Sequence, residues 1–413
     1  MPHDRFLRAL ADELAVLDAR GNPKRFESVL TEVLPPAGGF GPRYRIEGEG
    51  DRPFLKMNSN NYLGMNLHPE VIAAEEAASR RYGAGPGAVR FISGTYAPHV
   101  ELEHRLAVFH GREAAMIYSS AYAAMIGTFL PLVSDETALV SDELNHNCII
   151  NAIRLSRPKE KRVYRHNDVV DLEAKLLEVA GSCRRALVIT DGIFSMRGDH
   201  APLHEILSIA HHHDAKFPEN VVVIVDDSHG VGASGPTGRG TEEHLASGPA
   251  DLLVGTLGKA FGVNGGYVTG PRILIDLLRE TAPMYIYSNP ITPGEAAAAS
   301  RSVELLDSPE GATRLGHLRE VTHRFRDGLV AQGLETLPGS HPVVPLFVRD
   351  TARTTALVRH LREHGILATG LNYPVVPKGD ETIRFQISAD HTAADVDFVL
   401  ATLKSFVAAP TGA

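Results

Sequence analysis

Apolar residues along this chain recur in two rhythms, and the changes between them outline the architecture. Residues 4–20 place Phe6, Leu7, Leu10, Leu14 and Leu17 at helical spacing with charged residues between them. That is an amphipathic helix whose apolar stripe calls for a partner. Pro35-Pro36 and Gly38-Gly39 break the pattern, and residues 44–57 alternate as short strands do. From about residue 70 to 290, helix-like runs separate short apolar runs: Ala115-Met116-Ile117-Tyr118, Ala138-Leu139-Val140, Ala186-Leu187-Val188-Ile189-Thr190, residues 221–225 and Leu252-Leu253-Val254. Strands without polar alternation, spaced by helices, predict a mostly parallel sheet covered on both faces. Beyond Pro293, helical stretches over 295–306 and 318–333 precede strand (Pro345-Leu346-Phe347-Val348), helix (357–365) and strand (382–387). The expected organisation is α/β: an N-terminal helix with short strands (1–57), a large α/β domain (58–294) and a smaller C-terminal α+β domain (295–413).

Composition narrows the function classes. The 413 residues, 43% hydrophobic and 22% charged, fit a soluble globular protein with more than one core. A net charge of -9 and a pI near 6.1 argue against a nucleic-acid partner, which needs a concentrated basic face. The two cysteines, Cys148 and Cys183, form neither a CxxC pair nor a framework, so a reducing cytoplasm is expected. Asp4, Arg5, Asp12 and Glu13 interrupt any secretory h-region, and residues 121–133 are too few to span a bilayer. His211-His212-His213 point in different directions on a helix and cannot converge on one ion, so no metal site is expected.

Three segments carry candidate chemistry. The run Val221-Val222-Val223-Ile224-Val225-Asp226-Asp227-Ser228-His229-Gly230 is a buried strand that ends in an acid, with a histidine three residues on. Ligands of open parallel sheets sit at the carboxyl ends of strands. A carboxylate there can hold a pyridine nitrogen protonated, although an acid at a strand end is common and a helix cap or a metal ligand is the commoner reading of the segment alone. Leu252-Leu253-Val254-Gly255-Thr256-Leu257-Gly258-Lys259 is a second buried strand, opening into a glycine-rich turn with one lysine. Apolar and small neighbours desolvate that amine, lower its pKa and suit it to imine formation. In the third segment, Met116-Ile117-Tyr118-Ser119-Ser120-Ala121-Tyr122, a strand runs into a helix start whose free amides can bind phosphate, or which is a plain strand-helix turn.

Together with Asn60-Asn61-Tyr62-Leu63-Gly64, Arg90-Phe91-Ile92-Ser93-Gly94-Thr95, Ser141-Asp142-Glu143-Leu144-Asn145-His146 and Asp191-Gly192-Ile193-Phe194-Ser195-Met196, these segments resemble the α-oxoamine synthase family of fold-type-I pyridoxal-phosphate enzymes. The resemblance runs from about Asn58 to His391. Within the family, the run Tyr373-Pro374-Val375-Val376-Pro377-Lys378-Gly379 is most similar to the glycine C-acetyltransferase branch.

The resemblance implies a role for each matching position. Lys259 carries pyridoxal phosphate as an imine, Asp226 pairs with the pyridine nitrogen, and His229 with Ser195 bonds the ring hydroxyl. His146 stacks on the ring face and donates to the developing oxyanion. The amides of Ala121 and Tyr122, with Thr256, hold the phosphate, completed across a homodimer by Ser288 and Asn289 of the second copy. Arg384 takes the substrate carboxylate, assisted by Asn60. The implied reaction joins an acyl thioester, on coenzyme A or a carrier protein, to the α-carbon of an amino acid. An aminotransferase on the same fold is the alternative.

Overall fold

The computed structural model describes residues 3–19, 25–373 and 376–408. Arg20, expected to end the first helix, and Pro374 and Val375 of the run near the C-terminus lie outside them.

Among the described residues, seven strands build the main sheet: β1 (Ala114–Tyr118), β2 (Thr137–Asp142), β3 (Glu160–Tyr164), β4 (Arg185–Asp191), β5 (Val221–Asp226), β6 (Leu252–Thr256) and β7 (Gly266–Gly270), in the order β1-β7-β6-β5-β4-β2-β3. All neighbours are parallel except β7, which is antiparallel to both β1 and β6. The apolar runs read from the sequence are buried strands of this sheet, four of them central and one, β1, at its edge, covered by helices on both faces. Strands β3 and β7 went unread. Edge strand β3 opens with three charged residues, Glu160-Lys161-Arg162, and buries only Tyr164, and β7 is bounded by glycines that look like turns.

The N-terminal helix α1 (Asp4–Ala19) forms as its periodicity predicts, but no residue of it is buried, so the stripe finds no partner within the described residues. A hairpin follows, pairing Leu30–Leu34 with Arg43–Ile46, and only its second strand was anticipated. Helices α2 (Pro69–Tyr82), α3 (Ala97–Phe109), α4 (Ala121–Leu132) and α5 (Asn147–Ser156) lead through the first half of the large layer. Toward the C-terminus, the helix Pro309–Ala331 starts nine residues before the expected 318, because Ser308 caps it and Pro309 opens its first turn. It packs beside a second sheet, β8 (Glu335–Thr336), β9 (Val343–Phe347), β10 (Thr369–Leu371) and β11 (Thr382–Gln386), in the antiparallel order β8-β9-β11-β10. One hydrophobic cluster runs without interruption from Leu102, Leu253 and Tyr267 under the large sheet to Val343, Phe385 and Val399 under the small one. Among the described residues no helix is long and apolar enough to cross a membrane.

Candidate active site

The parallel strands β2, β4, β5 and β6 all end at one edge of the sheet, and the chain leaves each end to form a wall of a single cavity of about 240 Å³. From β2 comes His146, from β4 Asp191 and Ser195, from β5 Asp226, Ser228 and His229, and from β6 Thr256 and Lys259. Strand β1, antiparallel only to its neighbour β7 and so running the same way as the others, delivers Ser120, Ala121 and Tyr122 to the same place. Eight of the ten expected cofactor positions therefore line one cavity. Ser288 and Asn289 do not: they follow the short helix Pro283–Ile286 on the surface, beside Tyr287, which is 81% exposed.

Each wall has a local cause. Ser120 caps α4 by accepting from the Ala123 amide at 3.1 Å, so the amides of Ala121 and Tyr122 have no acceptor among the described residues and point at the cavity. Strand β7 makes room for this helix start through Gly266, where a Cβ would overlap the Ala121 amide nitrogen. His146 caps α5 in turn: its Nδ1 accepts from the Cys148 amide at 3.3 Å, which leaves the ring proton on Nε2, facing the cavity. Its own amide donates to Asp191 Oδ2 at 3.1 Å, and Asn145 Oδ1 accepts from the Asp191 amide at 2.8 Å. The lysine turn closes on hydrogen bonds from Gly262 N to Lys259 O and from Val263 N to Leu257 O, both 3.0 Å. Gly262 turns at φ 70° with its Cα against the backbone of Met65 and Asn66, a place with no room for a side chain.

Burial decides the charge states. The Lys259 ammonium is pushed below the usual lysine value by loss of hydration, against the attraction of Asp226 and Asp191. Burial also drives His229 well below an ordinary imidazole, with Lys259 and His341 adding repulsion, so its ring is neutral. Asp191 is raised well above an ordinary carboxylate by burial and by Asp226. Asp226 is 5% exposed, accepts from the Ser228 amide at 3.1 Å and receives the Cys148 thiol at 3.5 Å. Its neighbour Asp227 faces away, bonded to Thr241 N at 2.7 Å and Oγ1 at 2.6 Å in a cage closed by Gly192, Gly230 and Gly240.

Arg384 and Asn60 sit on the small-sheet side. Arg384 donates to Ser195 O at 3.0 Å and to Gln386 Oε1 at 3.4 Å, and Gln386 Nε2 donates to Asn60 Oδ1. Tyr62 Oη lies 2.7 Å from His229 Nδ1 and 3.3 Å from Asn60 Oδ1. Tyr62, Cys148, Asp191 and Gln386 are site residues that reading the sequence missed. Three of them belong to segments that drew attention for other residues, and Cys148 stands two positions after His146.

This donor set suits pyridoxal phosphate: helix amides for a phosphate, a buried carboxylate for a pyridine nitrogen and a desolvated amine for an aldehyde. Ser228 Oγ and Asp191 Oδ1 are buried in the wall without a partner among the described residues, as in a pocket shaped for a polar ligand.

Comparison with known proteins gives the family. Residues 52–403 match the aminotransferase class I and II family. The chain is 43% identical over 359 residues to the mitochondrial 2-amino-3-ketobutyrate coenzyme A ligase of Homo sapiens, covering 86% of this chain and 83% of that protein. It is 41% identical over 347 residues to the 8-amino-7-oxononanoate synthase of Thermosipho melanesiensis, covering 84% and 86%. The solved structure of Sphingomonas wittichii serine palmitoyltransferase superposes with a TM-score of 0.87 at 28% identity, over 98% of this chain and 97% of that one. These relatives favour acyl transfer over the aminotransferase alternative. The chain thus belongs to the aminotransferase class I and II family and, within it, to the α-oxoamine synthases, pyridoxal-phosphate-dependent acyltransferases of the fold-type-I class.

Proposed function

We propose that this enzyme joins an acyl thioester to the α-carbon of an amino acid, with Lys259 as covalent anchor and base, in a cytoplasmic homodimer. The observation that carries the reading is the meeting of Lys259, Asp226, His146 and the α4 amides in one cavity. Pyridoxal phosphate, when bound, supplies a sink for the electrons left on the α-carbon. Asp226 keeps a proton on the pyridine nitrogen, and the Ala121 and Tyr122 amides with Thr256 hold the phosphate. His229 and Ser195 bond the ring hydroxyl. Arg384 takes the amino acid's carboxylate in its guanidinium fork, assisted by the Asn60 amide, and so directs the α-hydrogen toward Lys259. Desolvation makes the neutral form of Lys259 Nζ accessible, and that amine accepts the α-proton. His146 would cover the ring face and offer Nε2–H to the thioester oxygen, where negative charge develops as the α-carbon attacks and from which it returns as the thiolate leaves.

The position of Ser288 and Asn289, outside their own cavity on a surface segment, supports a dimer in which they complete the phosphate site of the second copy, as the family resemblance implies. Arg279 anchors that segment, donating to Tyr285 Oη at 2.6 Å and to buried Glu103 at 2.8 Å, while Glu103 also pairs with Arg90 through both carboxylate oxygens. Two free, buried cysteines suit a reducing compartment.

Lys259→Ala tests the assignment. The variant should keep its circular dichroism spectrum and lose both the visible cofactor band and turnover by at least about 10³-fold. Undiminished turnover would overturn the role of this lysine.

A further inference from the structure

Polar contacts that run from Arg384 through Gln386, Asn60 and Tyr62 to His229, with the single Tyr62 proton shared between two acceptors, join the place expected for the substrate carboxylate to the place expected for the cofactor's ring hydroxyl. We infer that Tyr62 is a positioning residue that fixes the His229 tautomer and couples occupation of the carboxylate site to the hydrogen bond at the ring hydroxyl. This inference rests on the proposed binding of pyridoxal phosphate in the cavity.

Proton counting along the chain gives it direction. Gln386 Nε2 donates to Asn60 Oδ1, which leaves the Asn60 amide hydrogens for a carboxylate. Tyr62 is fully buried, and loss of hydration raises its phenol, so it keeps its single proton. Of its two neighbours, His229 Nδ1 at 2.7 Å is nearer than Asn60 Oδ1 at 3.3 Å, so the hydroxyl donates to the histidine. His229 is neutral, and accepting at Nδ1 puts its one proton on Nε2, the nitrogen left for the cavity. His341 secures the arrangement from behind: its Nδ1 accepts from the Val343 amide at 3.1 Å and its Nε2–H donates to His229 O at 2.8 Å. The other charged or titratable groups acting on the His229 ring are Lys259, Arg384 and His146. A carboxylate drawn to Arg384 and accepting from the Asn60 amide hydrogens makes Asn60 Oδ1 a stronger acceptor, and that oxygen competes with His229 for the Tyr62 proton. Substrate binding is thereby felt at His229 through the Tyr62 hydroxyl.

Tyr62→Phe preserves the ring and removes only the hydroxyl, so it tests the inference on the holoenzyme. Without its donor, His229 loses the bond that fixes its tautomer and its Nε2–H donates more weakly, so the ring oxygen becomes more basic and the pH midpoint of the visible band should rise by about half a unit or more. The amino acid's dissociation constant, read from the same band, should rise about tenfold. An unchanged midpoint together with an unchanged dissociation constant would overturn the role of Tyr62. A wild-type protein without a visible band would instead overturn the pyridoxal-phosphate reading itself. Should Tyr62→Phe fail to fold, Gln386→Met cuts the same chain farther from His229. The amino acid's affinity should then fall with the cofactor retained, and an undiminished affinity overturns the inference.

Discussion

His166 shows how much one side chain can do just behind the catalytic wall. Its Nδ1 lies 3.1 Å from Asp142 at the end of β2, and its Nε2 lies 3.2 Å from Asp199 in the turn that follows Ser195. Burial alone lowers its pKa, but the two carboxylates outweigh that and raise it from 6.5 to about 9. The folded value exceeds the unfolded one, so the stabilisation is complete below about pH 6.5 and disappears as pH rises through about 9. Denaturant titrations on the two sides of that window should differ by up to about 3 kcal/mol, and His166→Asn should remove most of the difference. Such residues are hard to read from sequence, because their meaning lies in partners far along the chain: Tyr62 and His229 are 167 positions apart. Lys259 and Asp226 are legible for the opposite reason. Each follows an apolar strand, and a strand end in a parallel sheet says where its side chain goes.

At the level of elements, the α4 start and strand β7 form a matched pair. The phosphate amides face the cavity only while β7 passes under them without a side chain, which Gly266 permits. Gly266→Ala should push the first turn of α4 outward, because the new Cβ meets backbone, and weaken pyridoxal phosphate binding by about tenfold or more, as equilibrium dialysis would measure, along with a loss of stability. An unaltered affinity would mean that the helix start tolerates displacement. The central strands and most helices were legible because burial on both faces leaves an unmistakable apolar run. Strands β3 and β7 were not, since charge on an edge and glycine at both ends imitate loops. Family motifs also divide by element. Arg90 serves packing, through Glu103, whose carboxylate is 7% exposed, and the cost of removing one partner of such a buried pair is about 3–5 kcal/mol.

At the scale of the whole molecule, the two sheets rest on one continuous apolar cluster. Thermal unfolding of the apoprotein, followed by calorimetry and by circular dichroism, should therefore give one transition at coincident midpoints, and two resolved transitions would show the sheets to be energetically separate. The sequence announces a second lobe through its helix and strand pattern, but it hides the sharing of this core, because apolar residues do not reveal which sheet they face. The shared cluster also limits how specificity can diverge among relatives. A chimera that grafts the C-terminal sheet of one synthase onto the body of another inherits half of a jigsaw, so new substrate preferences have to arise by local change at the cavity rim rather than by exchange of modules.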